Sequence, residues 1–403
     1  MANSERILTT HVGSLPRPQR LIELAARRDT DEAADQATYE RELGAAVADA
    51  VRTQRSVGID LIGDGEFGHP MGEDYDYGPW LRYVFERLGG VEITSKAATP
   101  PQRASDEIAL GPMSERRDWM LFNEAYGDPQ SGAALPAWNP DDPWPVVRGP
   151  ITYAGQAALT RDIANFKAAL AANGLEDGFL NAVGPASCAR LANEHYATDE
   201  ELLYACAEAM REEYTAIIGA GLMLQIDDPV IADNWDQINP APSLDAYRRF
   251  TKVRIEALNH AIRDLPRERI RFHLCWGSWH GPHVTDIPLA DIIDLMLAVN
   301  AGAYSFEAAN VRHEHEWRVW QGLTLPEGTT LLPGVVSHAT NVVEHPELVA
   351  DRICRYAEIV GRDNVIASTD CGLGGRVHPQ IAWAKLDSLA RGAAIASERL
   401  WRG

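Results

Sequence analysis

The chain has 403 residues, 45% of them hydrophobic and 24% charged, an ordinary globular composition long enough for one large decorated α/β domain. Its 37 Lys and Arg against 58 Asp and Glu give a formal charge of −21. A surface this acidic repels phosphate backbones and anionic lipid heads, which argues against nucleic acid and membrane partners. No apolar stretch reaches the ~18 residues of a membrane span. The opening MANSERILTTHVGS lacks the basic-then-apolar order of a secretory leader. Five scattered cysteines make a poor disulfide framework, so the expected setting is the reducing cytoplasm.

In chain order the strand candidates are ILTTHVGS, IDLIGDGE, VVRGPITY, DGFLNAVGP, GLMLQIDDP, RIRFHLCWG, AYSFEAAN, TLLPGVVSH and NVIASTDCG. Long amphipathic helices separate most of them. Thr198-Asp199-Glu200-Glu201 is a capping box that opens a helix with Leu203, Cys206 and Met210 on one stripe. Ser243 is placed to cap a helix through Tyr247, Phe250 and Leu258. Val349, Ile353, Tyr356 and Val360 share one helical face, and Gly361 stands where a C-cap glycine belongs. This alternation predicts parallel strands joined by crossover helices, closed as a (β/α)8 TIM barrel. Nine strand signals compete for eight slots, and the surplus one is expected in a Gly-Pro segment near residue 149 or 184. Cys206 and Cys354 are expected as small core residues.

Residues 70–148 fit no barrel unit. They are rich in Pro, Gly and aromatics, including Tyr75, Tyr77, Trp80, Trp119, Tyr126 and Trp138. The expected organisation is one barrel domain over residues 1–403, with 70–148 as an irregular aromatic-rich insertion. The insertion would pack on the barrel, form a dimer interface, or serve as a lid over the mouth.

Most strand candidates end in polar residues: Asp64 to Glu66, Asp227-Asp228, His273 to Cys275, Glu307 and Asp370-Cys371. In a (β/α)8 barrel those carboxyl ends form the active-site face. In RFHLCWG, a period of two points His273 and Cys275 the same way. Glu307 follows an apolar run, where a carboxylate is costly unless paired or bound to metal. With Cys371 these make one nitrogen, two sulfurs and one oxygen, a tetrahedral set suited to zinc. Ligands from three separate strands differ from the close Cys-x2-4-Cys pairs of structural zinc sites and point to a catalytic ion. Two thiolates weaken the ion toward water and suit it to an incoming thiol, held as a nucleophilic thiolate.

His273-Leu274-Cys275, Glu307 and Asp370-Cys371-Gly372 resemble, in order and spacing, the zinc ligands of the cobalamin-independent methionine synthase family, in its C-terminal catalytic barrel. The resemblance covers nearly the whole chain. It implies a zinc-dependent transferase that moves a methyl or other alkyl group onto a thiol held as a zinc thiolate, in a fold shared with uroporphyrinogen decarboxylase. His11-Val12-Gly13-Ser14 then resembles the segment whose serine, here Ser14, contacts the amino-acid substrate. Gly65-Glu66 matches a Gly-Glu that binds the substrate amino group, and Gln225-Ile226-Asp227-Asp228-Pro229 places Asp227 at the second carboxylate. Asp227 and His338 are the candidate catalytic side chains; Gly334-Val335-Val336-Ser337-His338 resembles the stretch that carries the family's proton donor, with Ser337 at an aspartate position and His338 one residue early. Trp276-Gly277-Ser278-Trp279-His280-Gly281-Pro282-His283 is typical of the family's single-barrel branch, and Trp276 is expected to wall the substrate pocket.

The family's second, N-terminal barrel has no counterpart in this sequence, which bears on a polyglutamylated folate as donor. The partners implied are a small-molecule thiol and an alkyl donor such as a methylated folate, with a homo-oligomer open. Alternatives are transfer from a non-folate donor, as in epoxyalkane:coenzyme M transferase, metal-free decarboxylation within the same fold, and a zinc hydrolase using Glu66 or Asp227 as base.

Overall fold

Seven short parallel strands form one curled sheet in the computed structural model, which describes residues 5–28, 36–69, 78–95, 102–103, 108–111, 115–133 and 143–402. Tyr75, Tyr77 and Trp138 of the insertion lie outside the described residues. The strands are β1 (Leu8–Thr9), β2 (Phe179–Val183), β3 (Met223–Asp227), β4 (Ile270–Leu274), β5 (Ala303–Glu307), β6 (Thr330–Val336) and β7 (Ile366–Thr369). They lie in the order β1-β7-β6-β5-β4-β3-β2. Every residue of β2 to β7 is buried, as parallel strands covered on both faces require.

Residues 59–64 fill the gap between β1 and β2. The N–H groups of Asp60 and Leu61 donate to the Thr9 carbonyl, and Phe179 N–H donates to Ile62. Gly63 bridges Phe179 in parallel. This is the IDLIGDGE segment in its slot, without a regular ladder. The reason is Gln54, whose Oε1 accepts the Gly63 N–H at 3.1 Å and whose Nε2 donates to the Gly63 carbonyl at 2.8 Å. A side chain from the preceding helix thus takes ladder bonds, and the eighth position closes the (β/α)8 barrel.

Helices Gln36–Ser56, Gln156–Ala172, Asp199–Gly219, Leu244–Ala261, Pro346–Val360 and Pro379–Arg402 supply the outer layer. Their caps are those the sequence predicts. Thr198 Oγ1 accepts the Glu201 N–H at 3.1 Å, and Ser243 Oγ accepts the Ala246 N–H at 3.2 Å. Gly361 ends its helix at φ 89°, a conformation that glycine reaches without steric cost. Cys206 is core, whereas Cys354 is half-buried at the margin of the core, beside Arg399 of the last helix.

Of the two Gly-Pro segments, the one near 184 supplies β2. The other lies in Pro143–Tyr153, which pairs antiparallel with Leu88–Ser95 in a separate sheet. Arg87 fastens this hairpin to the barrel helices, donating to Asp162 at 2.7 Å and Glu213 at 3.1 Å. Residues 115–127 reach the loop after β4. The Asp118 carboxylate accepts the N–H of His283 at 3.2 Å and of Val284 at 3.0 Å, and Trp279 Nε1 donates to Tyr126 Oη at 2.8 Å.

Candidate functional site

The ends of β4 and β7 bring His273, Cys275 and Cys371 together, with their donor atoms all within 4.8 Å of one another. His273 and Cys275 share a direction because one residue separates them at a strand end. Ser305 on β5 hydrogen-bonds His273 Nδ1 at 3.1 Å. The other ring nitrogen, Nε2, is buried and makes no well-directed hydrogen bond, although the Cys371 sulfur stands beside it. A buried ring nitrogen without a partner is costly. One nitrogen anchored and the other left bare is the arrangement of a metal-ligating histidine. Hydrogen bonding from Cys275, ahead of the neighbouring His273, holds the Cys371 thiol well below its ordinary range; the same pairing and then burial push Cys275 up. A nitrogen and two sulfurs fit zinc.

Glu307, at the end of β5, falls in an adjoining group with His338 and Asp370. Its Oε1 accepts the Trp276 N–H at 2.9 Å and its Oε2 accepts Asn310 Nδ2 at 2.6 Å. Asp370 Oδ1 accepts the N–H of Ala308 at 2.7 Å and Ala309 at 2.8 Å, which ties the turn after β5 to the end of β7. Burial pushes the Asp370 carboxyl up to about 6 and Glu307 well above its usual range. His338 is buried with its Nδ1 unpartnered, and burial holds the ring at about 3, neutral at physiological pH.

Glu66 and Asp227 stand beside the trio, with Asp227 in register with His273 on the neighbouring strand. Asn181 Nδ2 donates to Asp227 Oδ2 at 2.7 Å and to the Val12 carbonyl at 2.9 Å, and Gln225 Nε2 donates to Asp227 Oδ1 at 3.0 Å. Burial raises Asp227 to about 6 despite the neighbouring His273, and burial followed by repulsion from Asp227 raises Glu66 well above its ordinary value. Glu66 adopts φ 61°, a strained placement for a non-glycine residue of the kind found at functional sites. Two neighbouring buried carboxylates, only partly offset by Arg17 near Glu66 and by the amide donors and His273 at Asp227, favour a cationic guest. Ser14 lies at the same rim: its carbonyl accepts the N–H of Leu373 at 2.9 Å and Gly374 at 3.0 Å, just past Cys371.

Trp276 adjoins the site through its backbone N–H on Glu307. Its indole is buried, donates to the Ile287 carbonyl at 2.7 Å, and stacks on His313 at 3.9 Å. His313 lies between the Asp286 and Glu316 carboxylates, each 2.9 Å from a ring nitrogen. Although burial opposes the charge, those two hydrogen bonds raise the ring to about 10, so it is an imidazolium. What Trp276 offers the site is its backbone N–H on Glu307. Sequence reasoning missed Asn181 and Asn310, and took Asp370 only as part of a motif. The available signal was a polar residue inside or directly after an apolar strand run.

A barrel enzyme with a sulfur-rich candidate metal centre at the carboxyl ends of its strands is the class that this fold and site define. Residues 144–394 match the family model described as cobalamin-independent synthase, catalytic domain. The chain belongs to that family and is an enzyme. It is 23% identical over 396 residues to a methionine synthase of Thermococcus kodakarensis, covering 98% of this chain and 94% of that one. It is 25% identical over 434 residues to a 2-hydroxypropyl-CoM lyase of Xanthobacter autotrophicus, covering 98% and 96%. Its fold is similar to that of a B12-independent methionine synthase from a Shewanella species solved with selenomethionine, with a TM-score of 0.68 and 20% identity over 99% of this chain and all of that one. Among the described residues no helix is long and apolar enough to cross a membrane.

Proposed function

We propose that this chain is a zinc-dependent transferase that moves a methyl or other alkyl group onto a small amino thiol such as homocysteine. The observation that carries the reading is the trio of His273, Cys275 and Cys371 with the Glu66 and Asp227 carboxylates beside it, Asp227 lying in register with His273 on the next strand. His273, Cys275, Glu307 and Cys371 would hold the ion, which when bound lowers the pKa of a thiol ligand and keeps it nucleophilic at neutral pH. Glu66 and Asp227 bind the substrate ammonium, with Asn181 and Gln225 keeping Asp227 in place. Ser14 contacts the amino-acid end of the substrate. His338, neutral and beside Glu307, is the candidate proton-handling group. Residues 115–127, which reach the loop after β4, act as a lid within the single barrel domain and exclude water from the thiol.

The relatives carry two activities in their names, and one feature chooses between their thiols. Two buried carboxylates attract the ammonium of homocysteine and repel a sulfonate such as that of coenzyme M. The alkyl donor is a small molecule, of which a methylated folate is the first to test, and the setting is the cytoplasm. Decarboxylation without metal leaves Cys275 and Cys371 without a task.

Elemental analysis is expected to show one zinc per chain, lost in Cys371→Ala. In cobalt-substituted protein, homocysteine is expected to add a new sulfur-to-metal charge-transfer band to the absorption of Cys275 and Cys371, one that a sulfonate thiol does not add. Turnover by metal-free wild-type protein, or several bound thiols with no band, would overturn the reading.

A further inference from the structure

Asn310 stands three residues past the end of β5, and every polar atom of its side chain is engaged. Its Oδ1 accepts the N–H of Arg312 at 3.1 Å and of His313 at 3.0 Å. Its Nδ2 donates to Glu307 Oε2 at 2.6 Å and to Asp370 Oδ2 at 3.2 Å. The reverse amide orientation would set the oxygen against two carboxylates and the NH2 against two N–H donors, so the network fixes which way the amide faces. The other Glu307 oxygen is held by the Trp276 N–H. Glu307 therefore has a docking position with a donor for each oxygen, beside the His273, Cys275 and Cys371 trio but separate from it.

We infer that Asn310 is a positioning residue for thiol binding: with the Trp276 N–H, it receives the Glu307 carboxylate when an incoming thiol takes Glu307's place among the ligands. The inference rests on the reading of the trio as metal ligands. A buried carboxylate leaves one cation only if other donors replace it, because an unpaired ionised group in the interior is costly. Here the replacement is built in. The Asn310 amide also stands between Glu307 and Asp370, two carboxylates that would otherwise repel at close range. Remove its NH2, and Glu307 is held on the metal side, where the thiol must compete with it.

Asn310→Asp keeps an oxygen for the Arg312 and His313 N–H groups and replaces the NH2 by an acceptor that repels Glu307. Asn310→Ala removes both. Cobalt-substituted forms of each are titrated with homocysteine beside wild type. Both variants are expected to load one cobalt per chain, yet to need about tenfold more thiol, or greater, for the charge-transfer band, the scale of one lost hydrogen bond to a charged group. KM should rise by a similar factor while kcat at saturation changes less. A crystal structure of wild-type cobalt protein with thiol bound gives an independent reading, with Glu307 expected on Asn310 and Trp276 N. Variants that titrate like wild type while the wild-type band forms would overturn this inference and leave the proposed function standing. So would Glu307 found on the metal in the thiol complex. A wild-type protein without the band would overturn both.

Discussion

Gly13 packs against the substrate pocket so closely that one methyl group tests it. A Cβ at Gly13 would stand 2.3 Å from Asn181 Nδ2 and 2.3 Å from Glu66 Oε1, where ordinary contact begins near 3.4 Å. Both side chains must therefore retreat by about 1 Å in Gly13→Ala. Asn181 cannot do so and keep its bonds to the Val12 carbonyl at 2.9 Å and to Asp227 at 2.7 Å. A lost hydrogen bond to a charged group is worth roughly 1.5–3 kcal/mol. If about 2 kcal/mol of that falls on ammonium binding, KM for homocysteine rises roughly thirtyfold. The assay compares KM for homocysteine and for a thiol of similar size without the amino group, with metal content as the control. The amino thiol should lose its advantage while the simpler thiol changes little. A Gly13→Ala enzyme whose homocysteine KM stays within about threefold of wild type would refute the placement of Glu66, Asn181 and Asp227 in one ammonium site.

Glu66→Gln and Asp227→Asn should each raise KM more than they lower kcat, since the carboxylates bind the non-reacting end of the substrate. Burial lifts Asp227 to about 6, so its carboxylate is charged above that pH and neutralises below it. KM for homocysteine is then expected to climb as pH falls through about 6, or somewhat lower with a cation bound nearby, and a flat KM from pH 8 to 5 would contradict the pairing. His338→Asn should lower kcat by about a hundredfold or more without loss of metal, the usual scale for a proton-handling group, and an unchanged kcat would remove His338 from the reaction.

The barrel was legible because its strands carry their own signal: apolar runs that end in charge, most of them followed by an amphipathic helix. His273 and Cys275 were legible for the same reason, since period-two geometry is a local property. Other features were not local. The Gly63 strand lost its ladder to Gln54, a residue nine positions away whose reach no apolar pattern records. Asn181 matters because Val12, from the loop after β1, and Asp227 of β3 converge on it, and Asn310 because the ends of β5 and β7 are brought together over it. Both depend on register between distant segments. Trp276 is another such case: its place at a strand end was legible, but its stacking on the His313 imidazolium, held by Asp286 and Glu316, was not, because those partners come from two later segments.

The candidate ligands also have a topological consequence. Cys275 follows β4 and Cys371 follows β7, with β5 and β6 between them in both chain and sheet. An ion joining the two sulfurs would act as a crosslink around that stretch, closing a loop of about a hundred residues, for which the chain-entropy estimate for a covalent link is roughly 4 to 5 kcal/mol. Its removal should loosen the barrel unevenly. Backbone amides of β5 and β6, inside the loop, would lose protection from hydrogen exchange before those of β2 and β3, so a chelator would map the crosslink strand by strand.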